Sequence, residues 1–195
     1  MIKYLIIEIT LPQKTITFET HPGIFSWRAV DEGTDFLIEN LEINNNETVW
    51  DVGCGYGILG LSAAVKGASQ VLMTDVNLIA IDFAVKNILR NHLDDRVIAA
   101  PSVGLDLPSA ISSSARYDLV ISNPAFHQGW DINKSMTDNL FSTAPEVLSP
   151  RGRMVIVTNR FLNFKKDLEE YFQTVTTIAA NGKYQVIQAH NAYNK

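Results

Sequence analysis

From Asp51 to Gly57 the chain reads Asp-Val-Gly-Cys-Gly-Tyr-Gly, directly after a β-branched and aromatic run at residues 48–52. Glycines permit the sharp turn that ends a buried strand and let main-chain N–H groups approach a ligand closely. Gly55, Gly57 and Gly60 also satisfy G-x-G-x-x-G, the dinucleotide pattern, so the glycines alone do not select the ligand. Two carboxylates narrow it. Asp51, two residues ahead of Gly53, would repel a pyrophosphate but accept from an ammonium or order a water beside one. Asp75 ends the next expected strand, where a carboxylate can accept from both hydroxyls of a ribose. Together they describe a nucleoside cofactor with a cationic amino-acid tail, which is S-adenosylmethionine. The competing reading is a plain tight turn with solvent-facing acids. Cys54 invites a nucleophile, yet no histidine or basic residue is near it in sequence to lower its pKa. A small side chain tolerated in a tight loop is the expectation there.

A second chemical segment is Asn123-Pro124-Ala125-Phe126, which follows the apolar run 117–122. The Asn123 carboxamide oxygen and the Pro124 carbonyl are two acceptors. Aimed at one exocyclic amine, they would hold its hydrogens and direct the nitrogen lone pair toward a methyl donor. Phe126 offers a face on which a flat base or amide can stack. The alternative is a proline-ended strand with a core phenylalanine.

These residues need a scaffold that brings strand ends together. Residues 2–11 and 14–20 read as a hairpin around Pro12-Gln13, and an amphipathic segment runs from Asp31 to Leu41. From residue 47, strands at 48–52, 71–74, 96–99, 119–122 and 154–157 alternate with helices at 58–66, 77–91 and 135–148. The helix at 77–91 carries Ile81, Val85, Ile88 and Leu89 as its apolar face. The helix at 135–148 is expected to stop before Ser149-Pro150-Arg151-Gly152. A helix at 164–172 and strands at 175–179 and 185–189 close the chain, the last two joined by a hairpin at Asn181-Gly182-Lys183. Such alternation predicts a doubly wound α/β fold, its sheet mostly parallel with an antiparallel C-terminal edge. The C-terminal ends of the strands then form one ligand crevice, shared by both segments.

The whole is sized as one compact domain of 195 residues, with 46% hydrophobic and 19% charged residues. One cysteine leaves no intramolecular disulfide and no multi-cysteine zinc site. No apolar stretch has the length of a membrane helix, and Glu8 interrupts any signal-like start, so the expectation is a soluble, cytoplasmic protein. Net charge is −5, against indiscriminate nucleic-acid binding. Yet residues 1–150 hold 9 Lys/Arg against 18 Asp/Glu, and residues 151–195 hold 7 against 3. A basic end on an acidic body can mark an anionic partner or merely a solvated surface.

The loop at 51–57, Asp75 and Ile121-Ser122-Asn123-Pro124-Ala125-Phe126-His127 resemble class I S-adenosylmethionine-dependent methyltransferases. More narrowly, the chain resembles the small methyltransferase domain of ribosomal RNA guanine-N2 methyltransferases, in a compact single-domain form. Pro22-Gly23-Ile24-Phe25-Ser26 with Asp31 and Gly33 is similar to that family's entry segment, and Gly182-Lys183-Tyr184-Gln185-Val186 to its closing hairpin. The resemblance implies a Rossmann-like fold with a seven-stranded sheet over residues 31–195, preceded by a hairpin and entry segment at 1–30. It implies that Gly53, Gly55 and Gly57 wrap the amino-acid end of S-adenosylmethionine while Asp75 holds the ribose. Asp51 would sit beneath the loop, contacting the cofactor or fixing the turn. Asn123 and Pro124 would hold the target amine, and Phe126 would stack on it. The transfer would need no metal. RNA is the implied partner, with Arg151, Arg153, Arg160, Lys165 and Lys166 as a rim for its phosphates. Phe25 is expected to lid the cofactor or pack in the core, and His127 to touch substrate or be solvated. Two departures stand out: Ala125 occupies a family proline position, and Ser102 stands where a carboxylate or Asn commonly meets the adenine amine. Other acceptors fit the same clamp, namely a protein side-chain amide, adenine N6 or a small-molecule amine. A silent cofactor-binding module and a nicotinamide dehydrogenase complete the alternatives.

Overall fold

The computed structural model describes residues 4–106, 108, 111, 114–124 and 130–190, with residues 130–136 as backbone. Ala125, Phe126 and His127 therefore lie outside the described residues.

The chain opens with the antiparallel hairpin β1 (Leu5–Thr10) and β2 (Thr15–Thr20), in which Ile7 faces Phe18 and Ile9 faces Ile16. Then follow α1 (Glu32–Asn40), β3 (Thr48–Val52), α2 (Ile58–Val65), β4 (Gln70–Asp75), α3 (Leu78–Arg90) and β5 (Val97–Pro101). The second half holds β6 (Tyr117–Ser122), α4 (Trp130–Val147), β7 (Leu148–Asn159), α5 (Phe164–Leu168), β8 (Thr174–Ala180) and β9 (Tyr184–His190). Strands β3 to β9 form one sheet in the order β5-β4-β3-β6-β7-β9-β8. Its first five strands are parallel, and β9 runs antiparallel to both its neighbours. The mixed seven-stranded sheet expected above is the one observed.

Strand periodicity explains the two cores. Val49, Leu119, Ile121, Val155 and Val157 point to the face covered by β2, α1, α2 and α3. Their neighbours Trp50, Val120, Met154 and Ile156 point to the other face, toward α4 and α5. Asp51, between Trp50 and Val52, is thereby aimed at α2. After β5 the chain returns to the opposite side of β3, so the strand order reverses between β3 and β6. In a sheet of this kind the crevice opens at that reversal, beyond the C-terminal strand ends. The glycine loop leaves β3 there, and Asn123 leaves β6 there.

Three local expectations are corrected. In α3, Val85 and Leu89 are exposed, while Ala80, Phe83, Ala84 and Asn87 are buried with Ile81 and Ile88. The inner face is partly polar because Asn87 and Asn91 bind β2. Asn87 accepts from Glu19 N–H at 2.7 Å and donates to Glu19 C=O at 3.0 Å; Asn91 does the same with Thr17 at 3.0 and 2.8 Å. The four residues from Asn87 to Asn91 rise about 6 Å and two strand residues about 6.8 Å, so the spacings match. Second, α4 does stop before Ser149-Pro150-Arg151-Gly152, but the strand expected from residue 154 already starts at Leu148, so these four residues belong to β7, with a register irregularity against β6. A side chain at Gly152 would lie 2.9 Å from the Tyr117 carbonyl oxygen, which glycine avoids. Third, α5 ends at Leu168, short of the expected 172. Among the described residues no helix is long and apolar enough to cross a membrane.

Candidate functional site

The crevice is a cavity of about 390 Å³ whose lining includes Gly53, Gly55, Asp75, Ser102, Asn123 and Pro124. Six of the residues singled out in the sequence thus meet in one place, within the volume range of small-ligand sites. The loop is fastened from β4. Gly53 and Cys54 N–H donate to the Thr74 carbonyl at 2.8 and 2.9 Å, and Gly55 N–H donates to Asp75 Oδ2 at 2.8 Å. Asp75 Oδ1 accepts from Asn77 N–H at 2.8 Å, where α3 begins. Each oxygen keeps lone-pair capacity toward the cavity.

The three loop glycines divide into two kinds. Gly53 has φ +74° and nothing within 4 Å of where a side chain would stand, so bare backbone faces open space. Gly57, at φ +96°, is the N-cap of α2 and lies below the lining; a side chain there would meet Met73 Cε at 3.2 Å. Ser102 lines the cavity with its hydroxyl donated to the Asp106 carbonyl, so toward a ligand it is an acceptor. Phe25 also lines the cavity and is half exposed, which excludes the core-packing reading.

Asp51 is fully buried beneath the loop rather than on the lining. Its Oδ2 accepts from Gly60 N–H at 2.8 Å, tying the loop to α2, while Oδ1 is buried without a hydrogen-bond partner among the described residues. Burial first, and then the charge of Asp75, push its carboxyl up to about 8. The same burial, with Asp51 and Asp75 nearby, raises the Cys54 thiol, so Cys54 is no thiolate nucleophile at neutral pH. A pH dependence follows. Between the ordinary Asp value of 3.8 and about 8, the folded chain holds a proton at Asp51 that the unfolded chain has lost. Raising pH through that window should therefore lower this residue's contribution to stability, by up to about 1.4 kcal/mol per pH unit. Urea unfolding of the wild type and Asp51→Asn from pH 5 to 9 checks this. The expected result is a flatter profile in the variant; parallel profiles would refute it.

Asn123 is held from α1. Its Nδ2 donates to Asp31 Oδ2 at 2.9 Å and to Thr34 Oγ1 at 2.8 Å. Asp31 is the N-cap of α1, accepting from Thr34 N–H at 3.0 Å. Its capping place is readable in sequence, but its contact with a residue 92 positions away is not. The entry and closing segments also meet here, because a side chain on Gly33 would stand 3.1 Å from both Asp31 Oδ2 and the Tyr184 ring.

The proposed phosphate rim splits in two. Arg153 is nearly buried, paired with Glu47 through both terminal nitrogens and donating to the Glu42 carbonyl at 2.9 Å. It and Arg151 lie toward the start of β7, at the sheet end opposite the cavity, so neither belongs to a rim around it. Arg160, just beyond the C-terminal end of β7, and the exposed Lys165 and Lys166 of α5 remain on the crevice side.

A seven-stranded sheet with an antiparallel strand inserted next to its edge, and a glycine loop and carboxylate at its reversal point, is a Rossmann-like methyltransferase fold. The model of the methyltransferase small domain matches residues 15–188, and the chain belongs to that family. Among its relatives is the ribosomal RNA small subunit methyltransferase C of Vibrio parahaemolyticus, 34% identical over 182 residues, 93% of this chain and 51% of that protein. The Haemophilus influenzae (strain PittGG) protein of the same name is 32% identical over 179 residues, 91% of this chain and 52% of the relative. Among solved structures, the T. thermophilus 16S rRNA N2 G1207 methyltransferase in complex with AdoMet and guanosine superposes with a TM-score of 0.83 at 28% identity, covering 96% of this chain and 50% of that one. A Pyrococcus furiosus methyltransferase, at TM-score 0.70 and 18% identity over 90% of this chain and 88% of that one, shares the fold. The chain spans about half the length of the curated relatives it matches.

Proposed function

We propose that this chain transfers a methyl group from S-adenosylmethionine to an exocyclic amine, guanine N2 of ribosomal or other structured RNA. The observation that carries the reading is Asn123, whose amide nitrogen is held away by Asp31 and Thr34 on the cavity that Gly53, Gly55 and Asp75 also line. The names of the rRNA methyltransferase relatives and the guanosine bound to the T. thermophilus enzyme support the same acceptor.

The residues present fit this cofactor. The buried, unpartnered Asp51 Oδ1 lies under the loop, where an ammonium or a water bound to one would complete it. Gly53 leaves bare backbone open to the cavity, and Asp75 retains acceptor capacity for two ribose hydroxyls. Gly55 and Gly57 shape the rest of the cradle, and Ser102 Oγ would accept from the adenine amine. When bound, S-adenosylmethionine supplies an electrophilic methyl group. Asn123 Oδ1 and the Pro124 carbonyl accept the two hydrogens of the target amine, which holds its nitrogen lone pair in a single direction. Phe126 is assigned to stack the base on the family resemblance. A guanine inside structured RNA must leave its stack to reach these groups, at a cost of about a few kcal/mol. In this reading residues 1–30 are an accessory hairpin and entry segment on the domain at 31–195, and the enzyme works on RNA in the cytoplasm.

Transfer of tritiated methyl from S-adenosylmethionine to total RNA, in parallel with RNA-depleted cell protein, tests the proposal. Label in RNA, recovered as N2-methylguanosine, is the expected result. Label in protein would replace the nucleobase by a side-chain amide, N6-methyladenosine would move the target base, and no label in either, with S-adenosylmethionine still bound, would mean a missing partner or a silent cofactor-binding module. The crevice-side rim has its own measurement. Arg160→Glu with Lys165→Glu should weaken RNA binding and make its log–log salt dependence shallower by about 1.4 for two lost phosphate contacts. An unchanged salt slope would remove these residues from the RNA interface.

A further inference from the structure

We propose that Asp31 and Thr34 are positioning residues that make Asn123 a one-way acceptor, so that the site takes an amine and rejects a carbonyl in the same position. This rests on the methyltransferase reading above. A carboxamide has two ends of nearly equal size, one donating and one accepting, and an unrestrained Asn can turn over to present whichever end suits its partner. Here it cannot. Asp31 Oδ2, 2.9 Å from Asn123 Nδ2, belongs to a carboxylate that can only accept. Thr34 Oγ1 lies 3.4 Å from the same Asp31 oxygen, so its proton points there and its lone pairs remain for Asn123, 2.8 Å away. Both hydrogens of Nδ2 are thereby engaged, and Oδ1 is the polar atom that Asn123 has left for a ligand. Turning the amide over would set its oxygen against a carboxylate.

The clamp is itself fixed. Asp31 Oδ2 also accepts from Thr34 N–H at 3.0 Å as the N-cap of α1, so its position is set by the start of a helix. Gly33 suits the place between the two, since a side chain there would crowd that oxygen at 3.1 Å. The carboxylate polarises the amide through a charge-assisted bond, which makes Oδ1 the stronger acceptor. The consequence is specificity. An amine placed between Oδ1 and the Pro124 carbonyl satisfies both, whereas a purine with a carbonyl there sets acceptor against acceptor and gains nothing.

Three full-length variants test the clamp. Asp31→Ser keeps an N-capping hydroxyl but is too short to reach Asn123. Asp31→Asn keeps an acceptor at the same reach, and Thr34→Val keeps the shape without Oγ1. Asp31→Ser is expected to lower kcat about 10²-fold, with KM for RNA within about threefold. Asp31→Asn should recover activity to within about fivefold of wild type, because only the charge is lost. A merely structural role as N-cap would not separate kcat from KM in this way, and Ser and Asn, which cap a helix equally well, would then behave alike. The second readout is the Asn123 side-chain amide pair in ¹⁵N–¹H spectra, assigned by its loss in Asn123→Asp. Its protons should exchange slowly in the wild type and rapidly in Thr34→Val. Asp31→Ser and Thr34→Val with kcat within about threefold of wild type would overturn the proposal. So would Asn123 amide protons that exchange in the wild type as fast as those of exposed side chains. If the wild type methylates no substrate, the methyltransferase reading falls, and the exchange measurement still decides the clamp.

Discussion

Asn123→Ala is expected to lower methyl transfer by about 10²- to 10³-fold while S-adenosylmethionine affinity stays within about tenfold of wild type. The change removes one of the two acceptors on the target amine and leaves the Pro124 carbonyl, so the amine can still be touched but is no longer oriented. It also strips Asp31 and Thr34 of the amide they hold, at 2.9 and 2.8 Å, without disturbing the Asp31 cap of α1. The loss should therefore fall on the transfer step rather than on the fold. Single-turnover transfer with calorimetric cofactor binding separates the two. A variant that transfers within about threefold of wild type would remove Asn123 from the reaction.

The second large effect is on cofactor binding. Asp75→Ala should weaken S-adenosylmethionine about 10²-fold or more, since each hydrogen bond to a charged group contributes about 1.5–3 kcal/mol and two ribose hydroxyls are involved. Asp75 also fastens Gly55 and Asn77 through their N–H groups, at 2.8 Å each. The variant must therefore loosen the loop as well as lose the ribose contacts. Asp75→Asn keeps one acceptor oxygen but must offer an amide where a second donor arrives, so its affinity should lie between the two. Titration calorimetry on all three proteins gives the order. Equal affinities would mean that the ribose is held elsewhere.

The site was readable in sequence where its chemistry is local. Gly53, Gly55 and Asp75 sit at strand ends, and the strand–helix alternation alone sends those ends to one crevice. Asn123 and Pro124 were legible for the same reason. What holds Asn123 was not. Asp31 and Thr34 reach it from 92 and 89 residues away, across a strand crossover that no spacing rule encodes. Basic residues misled for a related reason. Arg153 lies in a basic C-terminal stretch, yet position along β7 places it at the far end of the sheet against Glu47. Net charge along a chain does not tell which end of a strand a residue occupies. The apolar period of α3 was misread because its inner face carries two asparagines, and a buried polar residue with a dedicated partner looks, in sequence, like a surface one.

That asparagine pair also governs how the molecule meets other copies of itself. A helix ordinarily cannot close the edge of a sheet, because its own main-chain groups are already paired. Asn87 and Asn91 imitate a neighbouring strand with side chains and seal the outer edge of β2. Recruitment of a foreign strand is blocked on that side, and β1 is left as the hairpin's other border, pairing among the described residues with β2 alone. Leu5 and Ile6 are exposed along it, a combination that invites edge-to-edge aggregation. The only charge in β1 is Glu8, which would confront the same negative charge if two such borders paired antiparallel in the register centred on residue 8. Colloidal stability thus rests on a carboxylate in the hairpin, away from the crevice in which the chemistry is proposed to occur.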